Sequence, residues 1–125
     1  MSQADLIKVV VQTRHLSDHP ASDENKYAFA YQITITNHSD TQVQLMSRYW
    51  LITDGTGKKS EVQGEGVVGK QPLLAPGEEF QYTSGAILDT PVGTMEGYYD
   101  MQVHGGETLR VPIEVFRLAV PNTIH

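Results

Sequence analysis

The sequence predicts an all-β fold, a sandwich of two antiparallel sheets with immunoglobulin-like or fibronectin type III-like topology. Three observations carry this. Apolar side chains recur with period two from Tyr27 to Ile35, turn clusters divide the chain into about seven short strands, and no long window shows the i, i+3, i+4 recurrence of an amphipathic helix. At 125 residues the chain can bury roughly two thirds of its unfolded surface. With no shift in composition along it, one domain is expected over residues 1–125.

Leu6 to Gln12 reads as the first strand, followed by a polar segment from His15 to Lys26 that should be, with the ends, the least ordered part. Tyr27, Phe29, Tyr31, Ile33 and Ile35 then fall on one side of a strand and Ala28, Ala30, Gln32, Thr34 and Thr36 on the other, so one face is buried. Asn37 to Asp40 is a turn cluster. From Gln42 to Ile52 apolar groups occupy both parities, which predicts a central strand covered on both sides, with Trp50 in the middle of the core. Asp54-Gly55-Thr56-Gly57 closes that strand as a hairpin onto Lys58 to Gln63, a polar strand near an edge. Ala75-Pro76-Gly77-Glu78 is written for a type II turn: proline pre-sets φ and glycine accepts positive φ. Phe80, Tyr82 and Ser84 alternate out of it. After Pro91-Val92-Gly93, the stretch Gly97 to Val103 places Tyr99, Met101 and Val103 together, and Leu109 to Val115 follows. Pro112 lacks a ladder donor, so that last strand lies at an edge or carries a bulge.

Composition excludes several functions. There is no cysteine, hence no disulfide, thiolate metal site or cysteine nucleophile, which suits a reducing compartment. Apolar runs such as Val9-Val10-Val11 are too short to span a bilayer. The start, Met1 to Asp5, has no secretory pattern, so a cytoplasmic location is expected, with no membrane partner. A net charge of −6 opposes attraction to phosphate backbones, and nucleic acid is not an expected partner.

Gly64, Gly66 and Gly69 have the spacing of a dinucleotide fingerprint, but Lys70-Gln71-Pro72 cannot supply the helix on which a pyrophosphate would sit. A weaker reading survives, in which backbone amides of a glycine turn cradle a small anion with Lys70, and with Lys58 or Lys59, adding charge. A bulged, tight sheet connection explains the same glycines and is favoured. His15 and His19 have i, i+4 spacing, with Asp18, Asp23 and Glu24 nearby, but no regular ligand pattern, so no metal site is expected. Ser47 and Ser84 lack a nucleophile elbow, and no catalytic residue is expected. Tyr49-Trp50 and Tyr98-Tyr99 each present one ring to either side of a strand, leaving an outward ring able to anchor a partner.

Tyr27 to Asn37, Val43 to Asp54 and Glu61 to Gly69, continued by Pro76-Gly77-Glu78, Tyr82 to Gly85, Pro91 to Met95 and Gly97 to Met101, resemble the bacterial ApaG family over nearly the whole chain. The resemblance implies a fibronectin-like sandwich, an association with cobalt and magnesium resistance or efflux, and a neighbouring diadenosine tetraphosphate hydrolase. It brings no catalytic activity and no cofactor. Similar domains appended to eukaryotic F-box proteins and to a DNA polymerase delta-binding protein imply protein interaction. A pyrophosphate site suggested for the family's glycine motif would fall on Gly64, Gly66 and Gly69. The expectation is therefore a non-enzymatic binding or regulatory module with a protein partner, edge pairing admitting a homodimer; the alternative is a sensor of pyrophosphate or a nucleotide.

Overall fold

The computed structural model describes residues 3–121, in which eight strands are β1 Ile7–His15, β2 Tyr27–Asn37, β3 Val43–Asp54, β4 Lys59–Glu65, β5 Leu73–Leu74, β6 Glu79–Leu88, β7 Val92–Val103 and β8 Thr108–Ala119. One sheet has the order β1-β2-β6 and the other β4-β3-β7-β8, with β5 joined to β3. Every pairing is antiparallel. This is the expected two-sheet sandwich.

The inner faces meet in one core. Phe29, Tyr31, Ile33 and Ile35 of β2 oppose Val43, Leu45 and Trp50 of β3 and Tyr99 and Met101 of β7, all buried. Trp50 sits edge-on to Tyr31 and Phe116, at 5.5 Å and 5.7 Å between ring centroids, the arrangement that the positive ring edge and negative ring face favour. Its predicted place in the core is observed.

The expected two-sided burial of β3 is corrected. Pairing between β3 and β7 shifts register between Leu45 and Ser47. Before this bulge Val43 and Leu45 point inward; after it Arg48, Trp50 and Ile52 do, while Tyr49 and Leu51 stay half-buried on an outer face. The two apolar parities thus record a switch of phase. β3 is nevertheless central in its sheet, between β4 and β7.

Several strands run past their expected ends. β7 begins at Val92, and β8 reaches Ala119, with a register shift between Met95 and Gly97 that gives β8 an extra residue near Pro112. Pro112 therefore lies on an edge strand and beside a bulge. β1 extends to His15, and the following segment holds a 3-10 turn at Pro20–Glu24, whose Ala21 amide donates to His19 Nδ1 at 3.0 Å. The first two residues and residues 122–125, part of the expected loose ends, lie outside the described residues.

The Asn37 turn connects the two sheets. Its buried side chain donates to the carbonyls of Thr41 and Leu74 at 2.8 Å and 2.9 Å and accepts from the Ser39 amide and hydroxyl. The Ala75–Glu78 turn forms as expected, with Gly77 at φ 85° and the Glu78 amide donating to the Ala75 carbonyl at 2.9 Å.

Candidate functional site

The four glycine-loop residues singled out in the sequence come together in one tight hairpin. Gly64 lies near the end of β4 opposite Arg48, Gly66 turns the chain at φ 63°, and Val67 and Lys70 bond each other's backbones around Val68 and Gly69. Val68 and Gly69 both have positive φ, 43° and 79°, as a two-residue type I′ turn requires. A Cβ on Gly66 would lie 2.3 Å from the Lys70 carbonyl oxygen, so only glycine fits there.

The polarity of this loop is set by Arg48. Its Nη1 donates to the carbonyls of Glu65 and Gly66 at 3.1 Å and 2.8 Å. The Gly66 amide donates to the Met46 carbonyl, and the Val67 and Lys70 amides to each other's carbonyls. Three amides are therefore engaged internally, and two carbonyls are aimed at a cation. An anion nest needs the reverse polarity. Lys70 is exposed beside the turn. Lys59 begins β4 and Lys58 precedes it, at the far end of the strand from Glu65 or roughly 20 Å at the strand rise, and Lys59 Nζ donates to Thr53 there.

Arg48 did not stand out from the sequence as a site residue. The structure shows the bulge before it turning its side chain inward, and Gly64 leaving room across the strand pair: a Cβ at Gly64 would stand 3.0 Å from Nη1. Near it the hydroxyls of Tyr82 and Tyr99 hydrogen-bond to one another between the sheets. Burial pushes both phenols well above their ordinary range, Arg48 opposing the shift from nearby.

The outer face of the larger sheet holds a different grouping. Tyr49 and Tyr98 stack with centroids 4.9 Å apart, and the Arg110 guanidinium lies 3.8 Å from the centre of the Tyr98 ring. Arg110 is fixed by Asp100, at 2.9 Å and 3.3 Å. The Tyr49 hydroxyl donates to Glu61 at 2.7 Å; that hydrogen bond first, then desolvation and nearby negative charge, raises its pKa. These are the rings the sequence placed outward, and Trp50 and Tyr99 are their inward partners.

His19 is engaged as a cap and the His15 ring packs 5.4 Å from Phe29. Among the described residues no group of three or more His, Cys, Asp or Glu is arranged to hold a metal ion. Ser47 pairs with Glu65 and Asp100 across β3, while Ser84 lies on β6 opposite Tyr31. No helix among the described residues is long and apolar enough to cross a membrane.

Comparison with known proteins adds a family. A family profile described as ApaG domain matches residues 17–103. Protein ApaG of Pectobacterium carotovorum is 53% identical over 125 residues, and protein ApaG of Escherichia coli is 52% identical, each covering 100% of both chains. The crystal structure of a Bordetella pertussis protein named ApaA superposes with a TM-score of 0.89 at 47% identity, covering 94% of this chain and 95% of that one.

Proposed function

This chain belongs to the ApaG domain family, and from that premise we propose that it is a non-enzymatic binding module, acting by protein–protein contact in the cytoplasm and serving cobalt and magnesium resistance indirectly, through a partner. One observation supports it best. The outer edge of β6 is an open pairing surface: among the described residues β6 pairs only with β2, and beyond Glu79, its first residue, it contains no charged residue and no proline. Apart from the two-residue β5, the other edge strands are guarded. Lys8 and Arg14 stand on β1, Lys59, Glu61 and Glu65 on β4, and Arg110, Pro112, Glu114 and Arg117 on β8. Charges and prolines are the usual devices that stop a strand edge from recruiting another chain, and a strand that carries neither beyond its first residue is suited to β-augmentation by a partner or by a second copy.

The test compares the wild-type chain with a Thr83→Lys/Ile87→Lys variant, whose changes lie on the exposed outer face of β6. Crosslinked complexes from native lysate, or a dimer seen by light scattering, should be lost in the variant while its Tm stays near that of the parent. Equal capture by both proteins would refute the β6 edge, and the absence of any complex or dimer would refute the module.

A pyrophosphate or nucleotide sensor is the second reading. Lys70 and the amides of Val68 and Gly69, which donate to no backbone carbonyl of a described residue, would have to hold the anion. The carbonyls gathered on Arg48 count against it, and titration with pyrophosphate, followed at the amides of residues 64–70, decides it.

A further inference from the structure

We propose that the open groove beside Tyr49 and Tyr98, on the outer face of the larger sheet, receives an arginine or lysine side chain from an extended basic segment of a partner protein. This rests on reading the chain as a binding module, but uses a surface separate from the β6 edge.

The groove has a volume of about 550 Å³, and its lining includes Tyr49, Leu51, Tyr98 and Val115 with the carboxylates Glu96 and Glu114. Its shape has a backbone cause. Gly97 brings β7 so close to β3 that a Cβ would stand 1.9 Å from the Tyr49 carbonyl oxygen, and the extra residue in β8 displaces Glu114 and Val115 beside Glu96. Val115 remains 60% exposed, an apolar side chain on an open sheet face.

Charge complementarity selects the occupant. Glu96 and Glu114 form no ion pair with any described residue; the pairs present are Lys26 with Asp89 and Arg110 with Asp100. Glu61 adds a third carboxylate, bonded to the Tyr49 hydroxyl, and both Glu61 and Glu96 act on that phenol as nearby negative charge. Cations on neighbouring strands do not fill the groove: Arg110 is held by Asp100 on Tyr98, Lys59 donates to Thr53, and Arg117 pairs with neither glutamate. An aromatic floor with an acidic rim favours a cation whose aliphatic stem can lie on Leu51 and Val115 while its charge meets the ring and the carboxylates. The chain already makes such a contact itself, because Arg110 sits over Tyr98 with a carboxylate behind it.

The test is an NMR titration of the full chain with a short uncharged-backbone peptide carrying two arginines, beside the same peptide carrying two glutamates. The arginine peptide should shift the amides of Leu51, Gly97 and Val115 with a Kd on the order of a millimolar or tighter, weakening as salt rises. Glu96→Gln and Glu114→Gln should each weaken binding roughly threefold, as expected for an exposed ion pair. No shift at these amides, equal shifts with the glutamate peptide, or undiminished binding by the double glutamine variant would overturn the proposal. Amides of β6 are read in the same spectra. If the groove is silent while the crosslinked complex at β6 persists, this inference falls and the module stands; if both are silent, the module falls too.

Discussion

The Tyr82 hydroxyl meets the Tyr99 hydroxyl in the space between the two sheets, each phenol bonding the other in a largely apolar core that also holds Tyr31 and Trp50. A buried polar atom without a partner would cost more than the net gain of the bond, so the pair is best regarded as one unit.

This unit predicts alkaline sensitivity. Burial raises both pKa values in the folded state, while in the unfolded chain each tyrosine titrates near its ordinary value of about 10. Above that pH the unfolded state holds fewer protons than the native one, so stability falls with rising pH, by about 1.4 kcal/mol per pH unit for each tyrosine. The contribution is fully present below about pH 10. Urea midpoints measured from pH 9 upward should decline, and a Tyr82→Phe/Tyr99→Phe variant, which removes both hydroxyls together, should decline less steeply. Parallel slopes for the two proteins would refute this.

Asn37 ties the β2 end to the strand that follows and to β5, its amide bonding the carbonyls of Thr41 and Leu74. Asn37→Ala removes a donor from the Thr41 and Leu74 carbonyls and the acceptor of the Ser39 amide, in a site of 0% exposure where only the Ser39 hydroxyl still bonds the Thr41 carbonyl. We expect a loss of about 2 to 4 kcal/mol in chemical denaturation, with the m-value unchanged because the same surface is exposed on unfolding.

Val68 carries a β-branched side chain at φ 43°, in the left-handed region that costs such a residue about 1 to 2 kcal/mol. Its side chain is 54% exposed, so little packing opposes replacement. Val68→Asn should stabilise the chain by roughly 1 kcal/mol and raise Tm by a few degrees. An unchanged or lower Tm would mean that the valine side chain contributes a contact worth as much as the strain.

Much of this architecture was legible because it is local. Tyr27 to Ile35 point alternately inward as the period-two pattern requires, Pro76-Gly77 makes the turn its residues specify, and Pro112 sits on an edge strand. What escaped was non-local. The bulge at Leu45 to Ser47 imitates two-sided burial in a one-dimensional pattern, and only its pairing with β7 reveals a phase change. Arg48 was obscure for the same reason: its inward direction depends on that bulge, and its accommodation on a glycine sixteen residues away across the ladder. The spacing of Gly64, Gly66 and Gly69 correctly marked a tight connection, but spacing does not say whether amides or carbonyls line it.

Arg48 therefore gives the most specific prediction about the glycine loop. Replacing it by Met keeps an unbranched apolar stem, shorter than the arginine's, and removes the Nη1 donor shared by the Glu65 and Gly66 carbonyls. Charge-assisted bonds of this kind contribute on the order of 2 kcal/mol in a partly exposed position. The loss should be felt locally, because the ladder between Val67 and Lys70, the Gly66 bond to Met46, the Gln71 side-chain bond to the same carbonyl and the buried Val67 side chain still hold the hairpin to the core. Hydrogen exchange at Gly66, Val67 and Lys70 should accelerate by roughly tenfold or more, the equivalent of that energy, while amides paired between β1 and β2 keep their protection at conditions far from global unfolding. Arg48→Lys should restore the protection only in part, since the shorter lysine does not carry its ammonium as far as the place where Nη1 meets both carbonyls. Uniform acceleration across both sheets would instead assign Arg48 to general core stability, and an unchanged loop would show that the backbone turn alone holds its shape.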